Sequence, residues 1–288
     1  MPDQQAKKVK GVADIIFLLD ATGSMQPCIN DVKNNIANFL ESLKKPENPN
    51  EVTPIRDWRA AVYAYRDYNA DGADKWFIAN PFTRDPAVVR EQLDALVADG
   101  GGDEPEDLLD ALLKIGHIGE TEKGASPEME DPFKWRYHSQ ASRCVVVFTD
   151  ATFHTELASA PGNDKEDVKN AIEMSKIRVS IYAPDFGAVG FSGYDDLSID
   201  KLEYEPIPLG PSDDPRAVLA AFTGDRKNFK KTLAQLAKSV SASAETDTLD
   251  ISELEEVATP EVGADVGMDG ATGIPDFGSG FSDVPTDA

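Results

Sequence analysis

Ile15-Ile16-Phe17-Leu18-Leu19-Asp20-Ala21-Thr22-Gly23-Ser24-Met25 is the stretch on which the reading of this chain turns. An apolar run ends abruptly in an aspartate, and two hydroxyl residues follow at alternate positions. Ala13 to Leu19 has the length and β-branched content of a strand buried on both faces. Behind it, Ile29, Val32, Ile36, Phe39, Leu40 and Leu43 recur at helical spacing. Asp20, Thr22 and Ser24 therefore fall where a strand stops and a helix starts, and in an open parallel sheet ligands collect at such carboxyl ends. One carboxylate with two hydroxyls is a hard oxygen set, suited to Mg²⁺ or a similar cation. Gly23 is expected to permit the tight turn that aims Thr22 and Ser24 at the same point as Asp20.

Outward from this stretch, strand-like and helix-like segments alternate from Gly11 to about Ala244. Trp58 to Tyr65 and Lys75 to Ala79 read as strands, and Pro86 to Val97 as a helix with Val89, Leu93, Leu96 and Val97 on one face. Pro105 to Ile115 reads as a helix with proline at its first position. Cys144 to Phe148 is the most apolar strand. Asp164 to Ile177 reads as a helix leading into a strand over Val179 to Ala183. Tyr204 to Leu209 suits only an edge strand, because Pro206 and Pro208 cannot donate to a ladder. Asn228 to Val240 is amphipathic and predicts a closing helix. The alternation predicts an α/β fold, a Rossmann-like, doubly wound, mostly parallel sheet with helices on both faces.

Two further polar loops follow or precede these elements. Gly100-Gly101-Gly102-Asp103-Glu104-Pro105-Glu106-Asp107 stands before a helix, and Thr149-Asp150 ends the most apolar strand. Each loop taken singly has a plain explanation: Asp-x-Thr-x-Ser as a helix cap, Asp103 or Glu104 as another, Asp150 as the end of a strand. Their joint occurrence at element boundaries points to convergence on one ion.

The formal charge of -24 excludes the electrostatics that nucleic acid and anionic lipid require, and favours basic segments and metal cations as partners. No apolar run approaches the ~18 residues of a membrane span, and the polar, basic residues 1–10 have no apolar segment behind them. With only Cys28 and Cys144, far apart, a reducing cytoplasmic setting is expected. Glu245 to Ala288 holds seven Asp, five Glu and no Lys or Arg, and reads as a disordered acidic tail that carries about half of the net charge.

The residues Ile15 to Met25 resemble the first strand and first metal loop of von Willebrand factor A (VWA) domains, which carry a metal ion-dependent adhesion site (MIDAS). Ala64-Tyr65-Arg66-Asp67-Tyr68, Gly101 to Glu106, Thr149-Asp150-Ala151 and Leu236-Ala237-Lys238-Ser239-Val240 also fit, so the resemblance covers most of Gly11 to about Ala244. The branch most resembled is that of hemicentins and of the alpha-kinase with such a domain, in which Gly-Gly-Asp-x-Pro-Glu replaces the usual second loop. The resemblance implies a non-catalytic module that binds another protein through a divalent ion, Mg²⁺ first, with Mn²⁺ or Ca²⁺ as alternatives. It implies Asp20, Thr22 and Ser24 as ligands, and Asp150 acting through a water. The family usually has a Thr in the second loop, where Asp103 stands here. A direct Asp103 ligand would strengthen the hold on metal and weaken the pull on a partner carboxylate; binding through water would keep the open position.

Of the neighbouring residues, Arg66 and Asp67 read as a salt bridge on the upper rim, and Tyr68 as packing. His154 reads as solvent-facing or backbone-bonded, with reach into the site as the alternative. Trp135, Arg136 and Tyr137 read as packing, and the two cysteines as inert. A second job for the same fold is a regulatory subunit beside a kinase, phosphatase or AAA+ ATPase, with the acidic tail as a docking or phosphorylation segment. A tail carboxylate tethered to the domain could also occupy the metal itself. The enzyme-class rival is phosphoryl transfer with an aspartate nucleophile, against which Ala21 stands in place of the basic residue that such a motif requires. The cytoplasmic character and the lack of further modules suggest a bacterial source. Partner identity and oligomeric state are not written in the sequence.

Overall fold

The computed structural model describes residues 11–44, 55, 57–102, 104–191 and 193–225. The expected closing helix (Asn228 to Val240), the acidic tail, residues 1–10 and Asp103 lie outside the described residues. Six strands, β1 (Val12–Asp20), β2 (Asp57–Tyr65), β3 (Phe77–Ala79), β4 (Ser142–Phe148), β5 (Ile177–Pro184) and β6 (Leu202–Ile207), form one sheet in the order β3-β2-β1-β4-β5-β6. All neighbours are parallel except β3, which runs antiparallel to β2. Six helices accompany them: α1 (Ile29–Lys44), α2 (Tyr68–Asp71), α3 (Pro86–Ala95), α4 (Leu108–Gly116), α5 (Lys165–Met174) and α6 (Pro215–Gly224).

β1 explains the two-sided core. Ile16 and Leu18 point into a cluster with Leu109, Leu112 and Ile115 of α4 and Val168 and Ile172 of α5. Ala13, Ile15, Phe17 and Leu19 point the other way, onto Val32, Ile36, Phe39 and Leu40 of α1 and Val89 and Leu93 of α3. A strand covered on both faces calls for apolar residues on both sides, and this is why Ile15 to Leu19 shows no polar alternation. Each such side chain contributes about 1.5–3 kcal/mol when fully buried. Leu219 of α6 packs with Met25, Cys28 and Ile29 just beyond the end of β1.

The strand order has a switch point. The chain winds from β1 outward to β2 and β3, then returns to place β4 on the other side of β1. The carboxyl ends of β1 and β4 diverge there, with Leu19 and Phe148 in register, so Asp20 and Asp150 emerge side by side.

The opposite end of the sheet is locked by charge. Asp14 of β1, fully buried, accepts hydrogen bonds from Arg59 of β2 (2.7 and 3.1 Å) and from Arg136 (2.8 Å from Nε, 2.8 Å from the backbone N–H). Arg59 also pairs with Glu130 at 3.2 Å, and Arg136 with Asp57. Arg136 was expected to serve only as packing. It instead pins the long connection between α4 and β4 beneath the sheet, while Trp135 beside it is buried against Phe82 as expected.

Two helix readings need correction. α4 begins at Leu108, not at Pro105. Glu106 pairs with Phe153 in an isolated parallel bridge, donating to Thr152 O at 3.0 Å and accepting from His154 N at 2.9 Å, so Pro105 and Glu106 belong to the loop. α6 was not anticipated, although Asp214 caps it through Arg216 N and Pro215 occupies its first turn.

Candidate functional site

At the switch point, one continuous set of hydrogen bonds joins the first and third polar loops. Asp20 Oδ1 accepts from Thr22 N at 3.0 Å and from Thr22 Oγ1 at 2.7 Å. Thr22 Oγ1 and Ser24 Oγ lie 2.8 Å apart, and the Ser24 hydroxyl donates to Asp150 Oδ1 at 2.9 Å. Thr149 Oγ1 donates to Asp20 Oδ2 at 2.8 Å, closing the arrangement from β4. The hydroxyls are not helix caps: Thr22 stands before the short 3-10 turn Gly23–Met25 and makes no side-chain capping bond to it. The structure thus brings Asp20, Thr22, Ser24 and Asp150 together. Thr149, a positioning residue for Asp20, was passed over in the sequence.

The second loop forms the facing wall. Gly23 N donates to Gly100 O at 3.0 Å, and Asp71 Oδ2 accepts from Gly101 N at 2.8 Å. Glycine is required here and not at Gly23. Gly100 and Gly101 have φ of 73° and 78°, and a Cβ on Gly101 would stand 2.9 Å from Thr22 Cβ. A Cβ on Gly23 would meet nothing nearer than Gly100 O at 3.4 Å. Between the loops lies an open cavity of about 370 Å³ lined by Thr22, Ser24, Gly100 to Gly102, Glu104, Glu106 and Arg216, with Gly23 at its edge.

Arg66 holds the rim, but through no salt bridge with Asp67. Its guanidinium donates to three backbone carbonyls: Ala21 O at 3.0 Å, Lys75 O at 3.0 Å and Val97 O at 2.9 Å. Asp67 instead caps α2, accepting from Asn69 N and Ala70 N. The His154 ring is part-exposed, with its Nε2 4.0 Å from Asp67 Oδ2 rather than at the Asp20–Asp150 cluster, and only its main-chain N–H bonds to backbone, at Glu106 O.

The electrostatics are those of crowded buried carboxylates. Asp20 and Asp150 are fully buried and Glu106 is 4% exposed. Burial, reinforced by the Asp20 charge, pushes Asp150 up to about 7. Burial and the charges of Asp20, Asp67, Asp150 and Asp107 push Glu106 up to about 9. Asp20 is also raised by burial, against the lowering effect of its bonds from Thr22 and Thr149. Asp150 Oδ2 and Glu106 Oε2 are buried with no hydrogen-bond partner among the described residues.

Among the described residues, no three His, Cys, Asp or Glu side chains converge tightly enough to form a metal cage of their own. A cation here would rest on a mixed set: the Asp20 and Asp150 carboxylates with the Thr22 and Ser24 hydroxyls. That donor chemistry fits a hard divalent ion, and the unpartnered Asp150 oxygen is the kind of group such an ion satisfies. Glu106 is the residue that sequence reasoning missed. Its signal was a further carboxylate in the Gly-rich loop, three residues after Asp103 and two after Glu104.

Comparison with solved structures finds chains of similar fold. The chain is similar to the VWA domain of SpRpn10. The likeness has a TM-score of 0.41 at 12% identity, over 73% of this chain and 94% of that one. The pilus adhesin SpaC from Lactobacillus rhamnosus GG is similar with a TM-score of 0.44 at 12% identity, over 79% of this chain and 31% of the adhesin. In sequence, the chain is 26% identical over 170 residues to the alpha-protein kinase vwkA of Dictyostelium discoideum, covering 57% of this chain. The match spans 23% of that kinase's length. No family model matches the chain. Among the described residues, no helix is long and apolar enough to cross a membrane.

Proposed function

We propose that this chain is a VWA-type interaction module that holds one divalent cation, Mg²⁺ in the first instance, at the switch point of its sheet and uses it to dock a partner protein. The observation that carries the reading is the Ser24–Asp150 hydrogen bond. It gathers the β1 and β4 loops into one hydroxyl-carboxylate set, beside a buried carboxylate oxygen that no group among the described residues satisfies. Asp20, Thr22 and Ser24 are the proposed donors from the first loop, and Asp150 from the third, directly or through water. Glu106, which lines the same cavity with an unpartnered oxygen, is the proposed donor from the second loop. Asp103 remains a candidate on sequence alone. The bound ion supplies a concentrated positive charge at the cavity floor, offsetting the mutual repulsion of the buried carboxylates. The vwkA similarity supports the reading, because the matched portion is a small fraction of that protein and leaves most of it for other work.

A catalytic role for Asp20 as a phosphoryl acceptor is disfavoured because Ala21 stands where such a motif requires a basic residue.

Thermal melting tests the proposal. A ligand that binds only the folded state stabilises it by about 2.7 kcal/mol at a hundredfold excess over Kd, a shift of a few degrees for a domain of this size. The expected result is a rise in Tm with Mg²⁺, Mn²⁺ or Ca²⁺ over EDTA that disappears in Asp20→Ala. No shift with any of the ions would refute metal binding.

A further inference from the structure

The amino-terminal end of the sheet carries a second open cavity, and its charge is opposite to that of the chain as a whole. The cavity, of about 600 Å³, lies where α5 hands over to β5 and where the chain enters β6. Lys169 of α5, Lys176 just before β5 and Lys201 just before β6 line it, with the buried Ile177 beside them. The chain has 52 Asp and Glu against 28 Lys and Arg, so three ammonium groups around one space run against its composition. Two carboxylates share the lining. Glu173 is engaged by the backbone, its Oε1 accepting from Asp200 N at 3.0 Å, and Asp200 is exposed. Lys169 meets the exposed Glu166 only at 3.4 Å, a contact that adds little. Lys176 and Ser198, both in the lining, have φ of 53° and 50°, the left-handed region that favours glycine. The backbone at Lys176 would suit glycine better, so its side chain has to be accounted for by the cavity it lines.

The chain itself carries a segment that matches. Within Leu249-Asp250-Ile251-Ser252-Glu253-Leu254-Glu255-Glu256-Val257, four carboxylates are interleaved with four apolar side chains, and there is no cation. Residues 226–248 join this segment to α6 and reach at most ~75 Å at ~3.3 Å per residue, so either end of the sheet lies within range. β5 is eight residues long, which sets the lysine cavity about 25 Å along the strands from their carboxyl ends. Charge decides between the two ends. Glu104 and Glu106 line the switch-point cavity, with Asp20 and Asp150 beneath, whereas the cavity below α5 offers three cations. Met174, 84% exposed and two residues from Lys176, adds an apolar side chain that Leu249, Ile251, Leu254 or Val257 can cover.

We propose that the lysine-lined cavity between α5, β5 and β6 is the docking site of this chain's own segment Leu249 to Val257, whose carboxylates pair with Lys169, Lys176 and Lys201. A segment on the same chain acts at a high effective concentration, so several individually weak pairs suffice. Docked there, the segment draws the acidic stretch toward the end of the sheet opposite the switch point and leaves the switch-point cavity open to a partner. The inference is independent of the metal reading, since no residue of that site takes part.

The test is zero-length cross-linking of the full chain with a water-soluble carbodiimide, which joins an amine to a carboxylate only where the two are in contact, followed by peptide mapping. The expected result is amide bonds from Asp250, Glu253, Glu255 or Glu256 to Lys169, Lys176 or Lys201 within one chain. They should be unchanged on dilution and lost at about 0.5 M NaCl, where exposed pairs are screened. In parallel, acetylation of the same lysines is followed by mass spectrometry. In a full chain with Asp250→Asn, Glu253→Gln, Glu255→Gln and Glu256→Gln together, the three lysines should react about threefold faster than in the wild type, while the exposed Lys123 reacts equally in both. Cross-links spread evenly over the other lysines, or found only between two chains, would overturn the proposal, as would equal acetylation of the three lysines in both proteins. Protection of those lysines by inorganic phosphate, with none by the segment, would make the cavity a phosphate site and overturn the assignment of its occupant.

Discussion

Ser24 and Asp150 are 126 residues apart in the chain and 2.9 Å apart in the fold, hydroxyl donating to carboxylate across the gap between β1 and β4. That contact brings buried negative charges together without a cation among them from the described residues, an arrangement that carries some cost to the fold and suits a cationic ligand. Asp150→Asn removes one of those charges. The expected outcome is a metal-free Tm equal to or above that of the wild type, with the Mg²⁺-dependent rise lost. Melting curves of the two proteins with and without Mg²⁺ check it. A variant that melts lower in EDTA yet keeps its full metal response would contradict the assignment.

The same crowding sets a pH dependence. Glu106 moves from an ordinary 4.5 up to about 9, Asp150 from 3.8 to about 7 and Asp107 to about 6, each chiefly through burial. Each group is raised on folding, so the folded chain keeps protons that the unfolded chain has already released. The stability associated with them is complete below about pH 4 and is lost as pH rises through 6, 7 and 9. The metal-free protein should therefore melt progressively lower from pH 6 to pH 9. Because a cation favours the charged forms, the stabilisation by Mg²⁺ should grow across the same window. Melting series with and without Mg²⁺ across that range test both, and a metal-free Tm that climbs with pH would reverse the sign of the argument.

Glycine substitutions separate the two loops. Gly101→Ala places a side chain at a φ of 78° and within 2.9 Å of Thr22 Cβ. It should cost about 1–3 kcal/mol and weaken metal binding by displacing Thr22. Gly23→Ala meets only an ordinary contact at 3.4 Å and should stay within about 0.5 kcal/mol of the wild type. Urea unfolding and metal calorimetry on both variants decide between this and the opposite ranking.

At the far end of the sheet, Asp14→Ala leaves the guanidinium groups of Arg59 and Arg136 buried without their shared carboxylate. Removal of one partner from such a cluster costs about 3–5 kcal/mol. The loss should appear in denaturant unfolding while the Mg²⁺ affinity of the folded fraction is unchanged. A fall in metal affinity as large as the fall in stability would mean that the two ends of the sheet are coupled.

The sequence announced the sheet because β1 and β4 are buried on both faces and so carry the continuous apolar runs Ile15 to Leu19 and Cys144 to Phe148. It announced the first and third loops of the site because Asp20 and Asp150 each terminate such a run. The rest depended on contacts that leave no local trace. The start of α4 shifts to Leu108 because Glu106 bonds to Thr152 and His154, a pairing across nearly fifty positions that no periodicity reports. Thr149 and Glu106 enter the site through strand register and loop pairing, and Arg66 finds carbonyls rather than Asp67 because three loops happen to end around it. α6 did have a readable signal, the Asp213-Asp214-Pro215 start followed by Val218, Leu219 and Phe222.

Arg66 has one more consequence. A single planar group fastens the start of the first loop at Ala21, the turn before β3 at Lys75 and the exit of α3 at Val97. These stretches cannot shift independently without breaking one of its bonds. A partner pressing on the first loop would therefore tilt the rim as a single plate, and the pressure would be felt at the outermost strand and at α3 before any one loop gave way.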